Sequence, residues 1–148
     1  MIDVRLARVE DSTPLSDFYA AWDYHAPFSR AAATHLAWDS GSLVGAVWVD
    51  QADGLSVLRG MRVRLDRQRQ GIGTQLLRAA LNGLPGQPVY CIALAHLRPL
   101  LERAAFTLLP EGEQPPALSA RAAGYHAGGR EVVVMLRLPE GKPGRVAV

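Results

Sequence analysis

Residues 67–80 read RQRQGIGTQLLRAA, with Gly71 and Gly73 separating a basic, amide-rich stretch from an amphipathic run. No other stretch restricts the fold as much. Apolar residues at helical spacing follow it and a strand-like run precedes it, so the glycines mark a strand-to-helix junction. The first N–H groups of a helix have no internal partner, and the helix dipole is positive at that end. Glycines allow a bulky anion to approach without a Cβ in the way. Two readings follow: a backbone cradle for a phosphate, or a plain flexible turn. The dinucleotide fingerprint G-x-G-x-x-G is excluded, because its third glycine position is Leu76. A P-loop is excluded by the absence of Gly-Lys-Ser/Thr.

The preceding run LSVLRGMRVRL, residues 55–65, sharpens the choice. Leu55, Val57, Met61 and Val63 share one parity, and Arg59 falls on it too. A regular strand would drive Arg59 into the core, where an unpaired charge is costly. Gly60 therefore predicts a bulge that shifts the phase. A bulge leaves backbone groups available to a ligand. Strand and turn together would hold a long molecule, with phosphate at the turn and an amide-bearing arm along the strand.

The remaining chain reads as alternating elements. IDVRLARV is a half-buried strand. Thr13 is expected as an N-cap before Pro14, with Leu15, Phe18, Tyr19 and Trp22 on one helical face. SRAAATHLAW, residues 29–38, is expected to run from a short helix into a strand. Residues 34–49 read as a hairpin turning at Asp39-Ser40-Gly41-Ser42, and QADG is a further turn. A helix from about Gly71 to Asn82 precedes VYCIALA, an apolar run expected as a strand buried on both faces. LRPLLERAAF is expected as a helix with Pro99 in its first turn. FTLLP is a short strand, EGEQPPALSARAAGYHAGGR a long polar loop, EVVVMLRL a final strand, and residues 139–148 a loose tail. This order describes a mixed α/β domain with a parallel pair near its middle.

Size and composition narrow the function classes. At 148 residues and 49% hydrophobic, the chain suits one domain with a substantial core, residues 1–148. Net charge is only +2. The single basic cluster, Arg59, Arg62, Arg64, Arg67 and Arg69, fits an anion of cofactor size rather than a nucleic acid. Cys91 is the only cysteine, which excludes an internal disulfide and predicts a reducing, cytoplasmic setting. No metal-ligand spacing, signal peptide or membrane-length apolar run is present in the sequence, so neither metal nor membrane is expected.

At these residues the chain resembles the GNAT superfamily of N-acetyltransferases, whose signature is R/Q-x-x-G-x-G/A between the fourth strand and third helix. Gln68-Arg69-Gln70-Gly71-Ile72-Gly73 fits it, as does the context MRVRLDRQRQGIGTQLL. HLRPLLERAAF resembles the family's late helix, GYHAGGREVVVMLRLP its closing hairpin, and Leu43-Val44-Gly45 its central hairpin. The resemblance spans residues 2–138. It implies the GNAT α/β fold, with a mixed sheet of six to seven strands and about four helices. It implies acetyl-CoA, or another acyl-CoA, as co-substrate. The pyrophosphate would be held by Gln68, Arg69, Gln70, Gly71, Ile72, Gly73 and Thr74, and the pantetheine arm by Met61, Arg62 and Val63. The acceptor would be a small-molecule or peptide amine, with a homodimer as the candidate assembly.

Two departures bear on the chemistry that the resemblance implies. The tyrosine that often protonates the leaving thiolate corresponds to Leu101, and the family's glycine before the phenylalanine to Ala105. An acidic residue that some members carry early on the fourth strand corresponds to Val57. The usual acid and base therefore do not carry over. His96, Tyr125 and His126 are the candidate catalytic substitutes, and Tyr24 and His25 the candidate substrate contacts. Cys91, Trp22, Trp38 and Trp48 read as core. The rival readings are a non-catalytic acyl-CoA sensor and a module binding another phosphate.

Overall fold

In the computed structural model, residues 1–22, 24 and 33–139 are described. Expectations for residues 25–32, His25 among them, and for tail residues 140–148 lie outside the described residues. Strand β1 (Ile2–Leu6) leads through a 3-10 turn into helix α1 (Ser12–Ala20). Thr13 lies inside α1, not at its cap, and Asp11 takes the cap position. The reason is that Asp11 is already fixed. Its carboxylate accepts Arg5 Nη1 at 2.7 Å, Arg5 Nη2 at 3.2 Å and the Arg8 N–H at 2.7 Å. Pro14 falls in the first turn, where its missing N–H costs nothing.

Strands β2 (Ala33–Asp39), β3 (Ser42–Ala52) and β4 (Leu55–Val63) follow as a meander. Both connections pair two left-handed residues: Ser40 and Gly41 at φ 50° and 84°, Asp53 and Gly54 at φ 53° and 77°. That is the backbone of the type I′ hairpin turn, whose twist matches its strands. Helix α2 (Ile72–Asn82), β5 (Val89–Leu94), α3 (Arg98–Arg103), β6 (Thr107–Leu108), α4 (Pro116–Ala127) and β7 (Val132–Arg137) complete the order. The seven strands form one mixed sheet in the order β1-β2-β3-β4-β5-β7-β6. Its parallel pair joins Ser56–Leu58 of β4 to Val89–Cys91 of β5.

The expected long loop at residues 111–130 is largely helix α4. Pro115 and Pro116 read as breakers, yet proline is well suited to a helix start. Leu118 and Ala122 are buried on one side of α4, and Tyr125 packs on the same cluster one turn later. That stripe is short and diluted by alanines, which hid its period. Tyr125 and His126 therefore belong to the last turn of a helix, not to a hairpin loop.

The chain forms two compact units, Met1–Asp50 with Arg59–Gly83, and Gln51–Leu58 with Leu84–Val148. The first is built on Leu15, Phe18, Tyr19, Leu36, Ala46 and Trp48. The second is built on Val57, Ile92, Leu109, Leu118, Ala122, Val134 and Leu136. In β5 both parities are buried: Val89, Cys91 and Ala93 on one, Ile92 on the other. Burial pushes the Cys91 thiol up to about 12.

Candidate functional site

Gly60, where the sequence predicts a bulge, takes φ 65° in mid-strand and kinks β4 there. Only glycine suits the position on two counts. The angle is left-handed, and a Cβ there would lie 2.8 Å from the Trp48 ring and from the Tyr19 hydroxyl. Tyr19, 1% exposed, donates its hydroxyl to the Gly60 carbonyl at 2.8 Å. Burial raises the Tyr19 phenol above its ordinary value, so it stays protonated and able to donate. Trp48 Nε1 donates to the Tyr24 hydroxyl at 3.0 Å, and the Tyr19 and Tyr24 rings meet edge-on at 4.8 Å.

The kink also settles the arginines. Arg59 keeps its charge satisfied where it stands: it stacks over Trp48 at 5.2 Å and pairs with Asp50 at 3.3 Å. Arg62 stacks over Tyr24 at 5.3 Å and donates Nη1 to the Met61 carbonyl at 2.9 Å. Such cation–aromatic contacts suit guanidinium groups in particular. In the sequence Tyr19 stands out only as part of an apolar stripe. Its signal was available, since a buried tyrosine needs a partner for its hydroxyl.

Past Val63 the chain is tied back at each step. The Arg64 N–H donates to the Val44 carbonyl at 2.9 Å, and Gln68 Nε2 donates to the Val63 carbonyl at 3.1 Å. Arg67 pairs with Asp39, and Arg64 with Asp66. Gln68 thus braces the loop as well as edging it. The next residues alternate in hand: Arg69 at φ 64° and Gly71 at φ 82° are left-handed. Gln68, Arg69, Gln70 and Gly71 are all exposed. Arg69 has no ion-pair partner among the described residues.

Helix α2 then begins without a side-chain cap. The Gly71 carbonyl takes the Gln75 N–H at 3.0 Å. The N–H groups of Ile72, Gly73 and Thr74 precede that bond and have no acceptor within the helix. Ile72, Leu76, Leu77 and Ala80 bury the opposite face. A Cβ on Gly45 of β3 would lie 2.8 Å from Leu76 and 3.1 Å from Ile72, so glycine there lets the helix sit close to its strand. The first unit thus brings together Met61, Arg62, Val63 and Gln68 to Thr74, along with Tyr24. This run of backbone donors at an uncapped helix start, with Arg69 exposed beside it, can bind a phosphate.

The other candidates lie in the second unit. His96 is exposed in the turn after β5, with no hydrogen-bond partner among the described residues. Tyr125 packs on the core. His126 Nε2 lies 3.1 Å from the Val132 carbonyl and 3.4 Å from its N–H, which ties the end of α4 to the start of β7. Leu101 is 2% exposed and Val57 is 0% exposed, so neither aligned position offers a proton-carrying group. Ala105 takes φ 72°, a left-handed conformation that suits glycine. Among the described residues no helix is long and apolar enough to cross a membrane, and no His, Cys, Asp and Glu cluster could hold a metal ion.

The model of the acetyltransferase (GNAT) family matches residues 4–106. Among solved structures, the ribosomal-protein-S18-alanine N-acetyltransferase of Escherichia coli aligns over 100% of this chain and 99% of its own, at 16% identity and a TM-score of 0.71. Escherichia coli ElaA aligns over 93% and 99%, at 19% identity and 0.70. N-acetylglutamate synthase of Neisseria gonorrhoeae, solved with coenzyme A and N-acetyl-glutamate, aligns over 93% of this chain and 35% of its own, at 16% identity and 0.68. At these identities the structures establish likeness of fold. No curated protein matches the sequence.

Proposed function

The chain belongs to the acetyltransferase (GNAT) family, and on that premise we propose that it is an acyl-CoA-dependent N-acyltransferase moving acetyl from acetyl-CoA to a primary amine. The observation that carries the proposal is the exposed, uncapped start of α2, reached through a left-handed Gly71. Gly71, Ile72, Gly73 and Thr74 would bind the pyrophosphate by backbone N–H groups, with Arg69 adding charge. Met61, Arg62 and Val63, just past the Gly60 kink, would receive the pantetheine arm. Residues 1–148 would act as one functional domain.

Direct attack by an amine needs the neutral base. An alkylamine with a pKa of roughly 10 must lose a proton first, and the departing thiolate must gain one. His96 is the best candidate left for either transfer, because it is exposed and without a described partner. Tyr125 and His126 serve the packing and the end of α4. Tyr24, bonded to Trp48, would line the acceptor side of the kink.

A second reading, a non-catalytic acyl-CoA sensor, is favoured by one observation: Leu101 and Val57 are buried apolar residues where the family places acid and base. Titration with acetyl-CoA, followed by thermal stability and then by thiol release over an amine panel, separates the two. A ligand of the native state raises the melting temperature by mass action. Stabilisation with turnover supports the transferase, and stabilisation without turnover supports the sensor. No stabilisation by any acyl-CoA would overturn both.

A further inference from the structure

Strand β1 ends the sheet, and among the described residues no strand covers its outer edge. Its hydrogen-bond phase is fixed by the adjoining residue, since the Ala7 N–H donates to the Thr34 carbonyl at 2.8 Å. Antiparallel pairs alternate between bonded and non-bonded. With the register Asp3↔Trp38 and Arg5↔Leu36, residues 3, 5 and 7 direct their backbone groups to β2. Residues 2, 4 and 6 direct theirs outward. The Leu6 carbonyl accepts Arg5 Nη1 at 3.1 Å, as an oxygen outside the ladder would.

We propose that this edge pairs antiparallel with β1 of a second copy of the chain, about a two-fold axis at Val4. In that register Val4 faces Val4 of the second copy and Ile2 faces Leu6. These are the residues with outward backbone groups, so each pair exchanges two hydrogen bonds. Asp3 then stands opposite Arg5 twice, in the non-bonded pairs where side chains come closest, adding a second carboxylate beside a guanidinium that already holds Asp11. The five-residue sequence Ile-Asp-Val-Arg-Leu is therefore complementary to itself in charge, size and hydrogen bonding together.

The protomer shows features that such a partner would satisfy. The Asp3 side chain is exposed, with no ion pair or hydrogen bond among the described residues, and the charge it acts on within the protomer is that of Arg5. Met1, Leu6 and Val9 are 104%, 56% and 54% exposed around the strand. An unpaired edge with apolar neighbours is the kind of surface that recruits another strand. A second copy matches it by symmetry, because a two-fold interface must be self-complementary. One short strand pair buries less than a standard interface of about 800 Å² per partner, so the association is weak and concentration-dependent.

Sedimentation velocity on the full chain from about 1 to about 200 μM tests this, since a weak dimer forms by mass action. A monomer-to-dimer shift across that range is expected, and a monomer throughout overturns the proposal. Asp3→Arg sets like charges opposite Arg5 and should raise the dissociation constant about tenfold. Val4→Pro removes an outward N–H that β2 does not use, and should abolish the dimer. Circular dichroism verifies that each variant is folded. A folded variant that dimerises like the parent places the interface elsewhere and overturns the register. If Val4→Pro does not fold, Asp3→Arg decides alone.

Discussion

Gly71 combines a left-handed backbone with open space, since a Cβ there would meet nothing within 4 Å. The position is therefore held by conformation, and the space beside it is open. Gly71→Val should lower stability by about 1–2 kcal/mol through the left-handed angle. It should weaken acetyl-CoA binding well beyond that loss, which calorimetric titration of the folded variant would measure. Unchanged affinity would remove the cradle assignment. Ala105 presents the opposite situation. At φ 72° it bears the strain that glycine avoids, so Ala105→Gly should raise stability by about 1 kcal/mol, read from urea unfolding. These two positions share a backbone requirement, and only one is filled by the residue that meets it without strain.

At the scale of elements, α3 limits what can be restored by substitution. Leu101 is 2% exposed, so Leu101→Tyr must place a larger, polar ring in a packed interior. A loss of about 1–3 kcal/mol is expected from overpacking, visible as a lower melting temperature. A gain in thiol release despite that loss would identify the missing proton donor. The hairpins and α2 were legible in the sequence because turn chemistry and helical period agreed there. Ser40-Gly41 and Asp53-Gly54 signal their turns by residue type alone. Helix α4 was not legible, because its start looked like a breaker and its alanines blurred the period. The glycine turn before α2 was visible as a local pattern. The Tyr19 bond to Gly60, 41 residues away, joins α1 to β4 and leaves no local trace. Locally encoded parts of the site could thus be read, while the supports that hold the kink required the fold.

For the whole molecule, stability should depend on acid through Asp11. The Arg5 guanidinium bonded to it, with the Arg8 N–H, holds its carboxyl below the usual range. A depressed carboxyl stabilises the fold fully above its unfolded value of about 3.9, and this contribution fades as pH falls through the folded value. Asp11→Asn should cost about 2 kcal/mol at pH 7, as loss of a charged hydrogen bond does. The gap between variant and parent should close below about pH 4, and melting curves across pH would show it. A gap that stays constant would mean that the carboxylate charge is not what Arg5 holds.

Cys91 has a consequence for how such experiments are read. The only cysteine is buried, 3% exposed, and its thiol is pushed up to about 12. Reagents that count sulfhydryls are attacked by the thiolate, so the native chain contributes almost no background to an assay of released coenzyme A. Once the chain opens, each molecule yields one reactive sulfur. The same colorimetric reagent that follows turnover therefore doubles as a built-in clock for unfolding, with no label added.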